Sequence, residues 1–183
     1  MKSILVLTIL LMPAASYALA TAQAPDVIFY EGQKRRLYSN PLEDYYSDGR
    51  KRPNFMIGPN TITSGNWRGY IATWKVVDNT LYMAHIESWI GRRKATLESI
   101  FGSKCRNGRV KATWFSGELR IPDGMELQYV HMGYGSVYER DIIVSVEAGK
   151  VTKAVIIDNS KLQLPSDLEL QRQELEKMKR EKP

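Results

Sequence analysis

Residues 67–90 alternate apolar and polar positions on either side of Asp78-Asn79. The first half, Trp67-Arg68-Gly69-Tyr70-Ile71-Ala72-Thr73-Trp74-Lys75-Val76-Val77, is rich in aromatic and β-branched side chains, which pack well on a pleated surface. Asp-Asn suits a tight turn, so the stretch predicts a β-hairpin. On the returning strand Leu81, Met83, His85 and Glu87 oppose Tyr82, Ala84, Ile86 and Ser88. Residues 141–147 and 151–158 flank Ala148-Gly149-Lys150 and predict a second hairpin.

Residues 110–146 hold the densest mix of strand and turn formers. Residues 110–115 alternate loosely and 118–121 resume as strand. Pro122-Asp123-Gly124 has turn chemistry: proline presets φ, aspartate bonds the local backbone and glycine accepts positive φ. Residues 125–132 read as the returning strand, with Met125, Leu127, Tyr129 and His131 on one face and Glu126, Gln128, Val130 and Met132 on the other. Gly133-Tyr134-Gly135-Ser136 breaks the pattern, and residues 137–146 return to strand.

Upstream, residues 27–30 predict a first strand, and a second ends near Leu37-Tyr38. From 40 to 66 regular patterning fails. Tyr45, Tyr46 and Phe55 argue that part of this stretch packs back on the body as an Ω-loop, which makes it a second candidate for a binding surface. Residues 95–101 predict a short helix with Leu97, Ile100 and Phe101 on one face and Gly102 as its stop. Ser166-x-x-Glu169 is a capping box that opens a helix towards Lys182, with a thin apolar stripe of Leu168, Leu175 and Met178. The expected fold is mainly β (α+β): an antiparallel sheet of six to eight strands curled as a sandwich or half-barrel, with a short helix and a C-terminal helix.

The first twenty residues change the picture of where the chain resides. Lys2 is followed by the apolar run Ile4-Leu5-Val6-Leu7-Thr8-Ile9-Leu10-Leu11-Met12, and Ala18-Leu19-Ala20 supplies small residues before a cut. This pattern predicts a signal peptide at 1–20 cleaved after Ala20. A single β-rich domain at 21–165 and the helix at 166–183 follow, with no transmembrane segment expected after cleavage. The single cysteine, Cys105, is far from the cleavage site, which excludes a lipoprotein, and it allows no internal disulfide. Stability must then come from a core. The expected location is a bacterial periplasm or exterior.

The net charge is +6, with basic triplets at Lys34-Arg35-Arg36, Arg50-Lys51-Arg52 and Arg92-Arg93-Lys94. They suit an anionic envelope component. A sugar or a peptide is the other class of partner considered, and nucleic acid the least expected in a secreted protein. His131, Tyr134, Tyr138, Glu139 and Asp141 lie within eleven residues and, with Trp114, form the candidate binding site. A histidine, phenols and carboxylates can move protons. Phenols beside glycine backbone suit a sugar or peptide better than a metal, so no metal and no cofactor are expected. His85 has no Cys or second His at ligand spacing. Cys105 lies between Lys104 and Arg106, which favour a thiolate, but nothing local supplies a base. Gly133-x-Gly135 lacks the third glycine and the following helix of a dinucleotide fingerprint.

Trp67-Arg68-Gly69-Tyr70-Ile71-Ala72-Thr73-Trp74-Lys75, together with the stretch from Trp114 to Asp141, resembles a family of uncharacterised secreted or periplasmic bacterial proteins. That family carries no established activity. The resemblance implies only that Trp114, Gly117, His131, Gly133, Tyr134 and Tyr138 belong to one pattern. The expected function is an extracytoplasmic, non-enzymatic binding or envelope-associated module. The alternative is a small hydrolase using His131 as base with Asp141 or Glu139, although no G-x-S-x-G motif is present.

Overall fold

Three tight reversals set the sheet. Asp78 and Asn79 both take positive φ (49° and 51°), as do Glu31 and Gly32 (51° and 74°) and Ala148 and Gly149 (43° and 77°). Two successive positive-φ residues define a hairpin turn whose twist matches that of the strands it joins. The computed structural model describes residues 22–58 and 61–166, together with 169, 172 and 176. The expected signal segment, and most of the expected C-terminal helix, lie outside the described residues.

The strands are β1 (Asp26–Tyr30), β2 (Gln33–Leu37), β3 (Phe55–Met56), β4 (Tyr70–Val77), β5 (Thr80–Ile90), β6 (Arg93–Lys94), β7 (Val110–Lys111), β8 (Gly117–Gln128), β9 (Val137–Glu147) and β10 (Lys150–Asp158). Two short helices, α1 (Pro41–Asp44) and α2 (Leu97–Phe101), and a 3-10 turn at Gly102–Lys104 complete the named elements. Among the described residues 51% are strand and 10% helical, so the fold is mainly β. The spatial order is β2-β1-β4-β5-β10-β9-β8, with β3, β6 and β7 pairing β5.

The sheet is mixed, which corrects the antiparallel expectation. Strand β1 turns straight into β2, so only its other edge is left for a partner. The excursion through residues 38–69 brings the chain back to start β4 beside it in the same direction, with Val27 opposite Thr73. The other pairs are antiparallel. The sheet is not closed into a barrel. Strands β5 and β10 share a single register pair, Thr80 with Lys150, and then separate. Beyond that point β10 has an open edge. Ile156 sits opposite the buried Ile142 yet is 67% exposed.

Two alternation patterns read from the sequence shift phase. In β5, Thr73 pairs His85 and Trp74 pairs Met83, leaving Ala84 as an extra residue. Leu81 and Met83 are therefore buried before it, and Ile86 and Ser88 after it. Pro122-Asp123-Gly124 is not a hairpin turn. It lies within β8, whose two halves both pair β9, with the register slipping between Asp123 and Glu126. Gly124 takes φ 83° there, and the Glu139 carboxylate accepts the Met125 N–H at 3.1 Å. A bulge uses the same residue chemistry as a turn, and Pro122 is tolerated because β8 ends the strand order. The expected strand at 125–132 ends at Gln128, and residues 129–136 are irregular.

The excursion packs back as its aromatics implied. Tyr45 lies 4.9 Å from both Phe101 and Trp114, and Phe55 meets Tyr70 at 5.4 Å. Arg52 pins the loop, donating to both oxygens of Glu43 (3.1 and 2.9 Å) and to the Arg68 carbonyl (2.8 Å). Helix α2 starts at Thr96, which exchanges bonds with Ser99, and ends at Gly102 with φ 55°. The core is built from Trp74, Tyr70, Ile28, Leu37, Leu42, Met83, Leu119 and Val144, all fully buried. Among the described residues no helix is long and apolar enough to cross a membrane.

Gly69 sits where the excursion rejoins β4. Its φ is 75°, and a methyl group there would strike the Phe55 carbonyl. Gly69→Ala combines backbone strain with a backbone clash and should cost about 2–4 kcal/mol. Urea unfolding of the two proteins, compared at equal slope, gives the difference directly.

Candidate functional site

Three of the sequence candidates meet in one network between β2, β8, β9 and the 129–136 loop. Tyr138 is the second residue of β9, and its ring is buried. Its hydroxyl donates to Glu126 (2.6 Å), accepts from Arg36 (3.1 Å) and lies 3.0 Å from the Tyr38 hydroxyl. Burial, and then the Glu126 carboxylate, raise its pKa, so it stays protonated. Tyr134 stacks on Tyr38 with centroids 4.9 Å apart and planes 17° apart. Asp141 accepts from Arg120 (2.9 Å) and Asn159 (3.0 Å). Arg120 also donates to the carbonyls of Tyr134 (2.7 Å) and Ser136 (2.9 Å), so one guanidinium holds the whole turn.

A second, deeper group adjoins it. Asp26 at the start of β1 is fully buried. It accepts the Ala72 N–H and the Trp74 indole N–H, each at 3.0 Å, and its counter-charge is Arg68 at 3.6 Å. Arg68, 1% exposed, donates to the Ala24 carbonyl (2.6 Å) and to the Tyr134 hydroxyl (2.7 Å), which in turn donates to Asn40 at 2.9 Å. Loss of water pushes the Asp26 carboxyl up to about 6, against the pull of Arg68. Burial likewise pushes the Tyr134 phenol up to about 12.

The remaining candidates fall elsewhere. His131 is exposed, and its Nδ1 lies 2.9 Å from the Tyr129 hydroxyl. No hydrogen bond or ion pair joins it to Asp141 or Glu139. Glu139 faces Met125 across the bulge. Trp114 donates to the Pro41 carbonyl at 2.8 Å and stacks on Phe101, inside the aromatic cluster of the excursion. Cys105 donates to Glu98 at 3.2 Å, and desolvation and that carboxylate raise its pKa. The basic neighbours therefore do not lower the thiol pKa, and Lys104 sits over the Tyr45 ring. Among the described residues no group of three His, Cys, Asp or Glu could hold a metal ion.

Sequence reasoning missed Tyr38, Arg120, Asn159, Asp26 and Arg68. Asn159 follows β10 directly and reaches back to Asp141 only because the β9–β10 hairpin folds it there. No local pattern marks such a residue. The Lys34-Arg35-Arg36 triplet carried a partial signal. Together with Gln33, Pro122, Asp123, Gly124 and Tyr138 it lines an open cleft of about 310 Å³ between β2 and the β8 bulge. Arg35 and Arg140 both donate to Asp123 and hold its carboxyl below the usual range.

Asp26 supplies a pH signature. Its folded pKa is raised, so its contribution to stability is fully present below about 3.8 and is lost as pH rises through about 6. Above that window it is flat. Denaturant midpoints measured from pH 3.5 to 7.5 should show the native protein losing on the order of 2 kcal/mol relative to Asp26→Asn, whose amide cannot titrate. A parallel pair of profiles would remove Asp26 as the source.

Comparison with models of known families, with curated proteins and with solved structures finds no match, so function rests on the chain's own geometry.

Proposed function

We propose that the protein is an extracytoplasmic, non-enzymatic binding module that holds an anionic group of an envelope component, a carboxylate or phosphate, in the cleft between β2 and the β8 bulge. The observation that carries this is charge placement. Three successive basic residues, Lys34, Arg35 and Arg36, line a cleft in which Asp123 is the only acidic lining residue. Arg36 is exposed and aligned by the Tyr138 hydroxyl (3.1 Å), so it meets a ligand at little entropic cost. Arg guanidinium recognises carboxylate and phosphate through paired donors.

The hydrolase reading draws less support. A general base must reach its proton and be oriented by its partner. His131 stands outside the network, and Asp141 already serves Arg120 and Asn159.

The curl of the sheet towards a half-barrel is supported by the Tyr38 N–H, which bonds the Arg120 carbonyl at 2.8 Å and so links the two ends of the strand order. A helix from Ser166 is supported by the capping bonds between Ser166 and Glu169, both at 2.7 Å from one carboxylate oxygen. Residues 1–20 support export.

Titration with inorganic pyrophosphate, followed by amide shifts of residues 33–36, should show saturable binding that weakens with salt. Lys34→Ala with Arg36→Ala should weaken it about tenfold or more. Unchanged binding in that double variant, or none in the native protein, overturns the reading. The protein recovered from outside the cytoplasm should begin at Thr21 by N-terminal sequencing, and a start at Met1 refutes cleavage.

A further inference from the structure

We infer that a second cleft, over the outer face of β4 and β5, binds a cationic hydrogen-bond donor on an apolar stem: a primary ammonium or a guanidinium. This site is independent of the anion cleft.

The cleft encloses about 570 Å³ and is lined by Ala22, Gln23, Ala24, Ile57, Thr63, Gly65, Asn66, Ile71 and Glu87. Its floor is a register pair. Ile71 on β4 lies opposite Glu87 on β5, on the face away from the core, because Tyr70, Ala72, Ile86 and Ser88 point inward. Its walls are fixed by backbone bonds. The Ala24 N–H reaches the Gly65 carbonyl at 2.7 Å and the Gln23 N–H reaches Gly133 at 3.1 Å, which holds the segment beside the 63–66 turn.

Two acceptors belong to this cleft. Asn66 is 4% exposed and held by its backbone to Thr63 and Gly69, both at 3.0 Å. Its buried side-chain oxygen has no hydrogen-bond partner. Buried polar atoms are nearly always satisfied, and an exception points to a missing partner. Glu87 is exposed and forms no ion pair within the described residues. A missing donor would satisfy the amide oxygen, and a positive one would pair the carboxylate.

The lining contains no lysine or arginine, although the chain carries 26 of them. Among the described lining residues the one charged side chain, Glu87, is negative, which disfavours an anion. Ile57, Ile71, Ala22 and Ala24 supply apolar surface for methylenes. A lysine or arginine side chain of a peptide and a free polyamine share this chemistry.

The test uses the 15N-labelled full-length protein. The probes are Nα-acetyl-lysine methylamide, putrescine, the norleucine analogue that lacks the ammonium, and maltotriose as a neutral donor. The lysine probe should shift the resonances of Gly65, Asn66 and Glu87 saturably, and the norleucine analogue should not. Glu87→Gln, an exposed isosteric change that leaves the fold intact, should weaken binding at least tenfold. Asn66→Asp adds charge at the acceptor and should tighten it. Tighter binding of putrescine than of the lysine probe assigns the site to free amines, and the reverse assigns it to peptide side chains. The inference falls if neither amine shifts these residues, if Glu87→Gln binds as the native protein does, or if norleucine or maltotriose binds as well as the amines.

Discussion

One buried carboxylate determines how the parts of this protein meet. Asp26 lies where β1 joins β4, and its two oxygens take the Ala72 N–H and the Trp74 indole. Placing such a group out of water is unfavourable unless donors surround it. Arg68 supplies the positive charge and has to be equally buried to do so. That requirement fixes the corner at residues 66–69, and with it the glycine that lets the chain pass the Phe55 carbonyl. From Arg68 the constraint passes to Tyr134, to its stacking partner Tyr38, and through the carbonyls of Tyr134 and Ser136 to Arg120 and Asp141. Strands at opposite ends of the order are thus held by a single polar chain.

This network explains why the region richest in chemistry lends the hydrolase reading little support. Each carboxylate and phenol in it is already engaged with a guanidinium, an amide or another phenol. Such groups hold positions and have little freedom to exchange protons. The two proposed ligand clefts lie around the network. On one side the arginines of β2 are only partly neutralised, and on the other the Glu87 carboxylate forms no ion pair among the described residues and the Asn66 side-chain oxygen accepts no hydrogen bond. A polar interior of this kind gives rigid walls to clefts whose own lining is sparsely satisfied.

The hairpins were legible because their turns are local. Asp78-Asn79 and Ala148-Gly149 state their geometry within two residues. Pro122-Asp123-Gly124 was misread for the same reason: identical chemistry serves a bulge when the strand has somewhere to continue, and only β9 on the far side decides that. The phase shift at Ala84 hides in the same way, since an extra residue leaves no mark in composition. The parallel pairing of β1 with β4, and every side-chain hydrogen bond and ion pair of Asp26 and Arg68, joins positions more than forty residues apart. No periodicity records such distances. Tyr134, Tyr138 and Asp141 were found together because turn glycines and strand phase put them near one another. His131 was grouped with them as standing at the end of an expected strand joined to Tyr138 by the turn at 133–136, and the end of β8 at Gln128 leaves it outside.

The parallel placement of β1 also has a consequence for the order of events during synthesis. The chain emerges from its N-terminal end, so Asp26 is made early, while Arg68, Ala72 and Trp74 follow more than forty residues later. The β1–β2 hairpin can close on its own, but its acidic end must remain hydrated until β4 is made and has turned back with β5. The first strand synthesised is therefore among the last to reach its final surroundings. A chain lacking residue 68 would hold a hairpin but no partner for its charge.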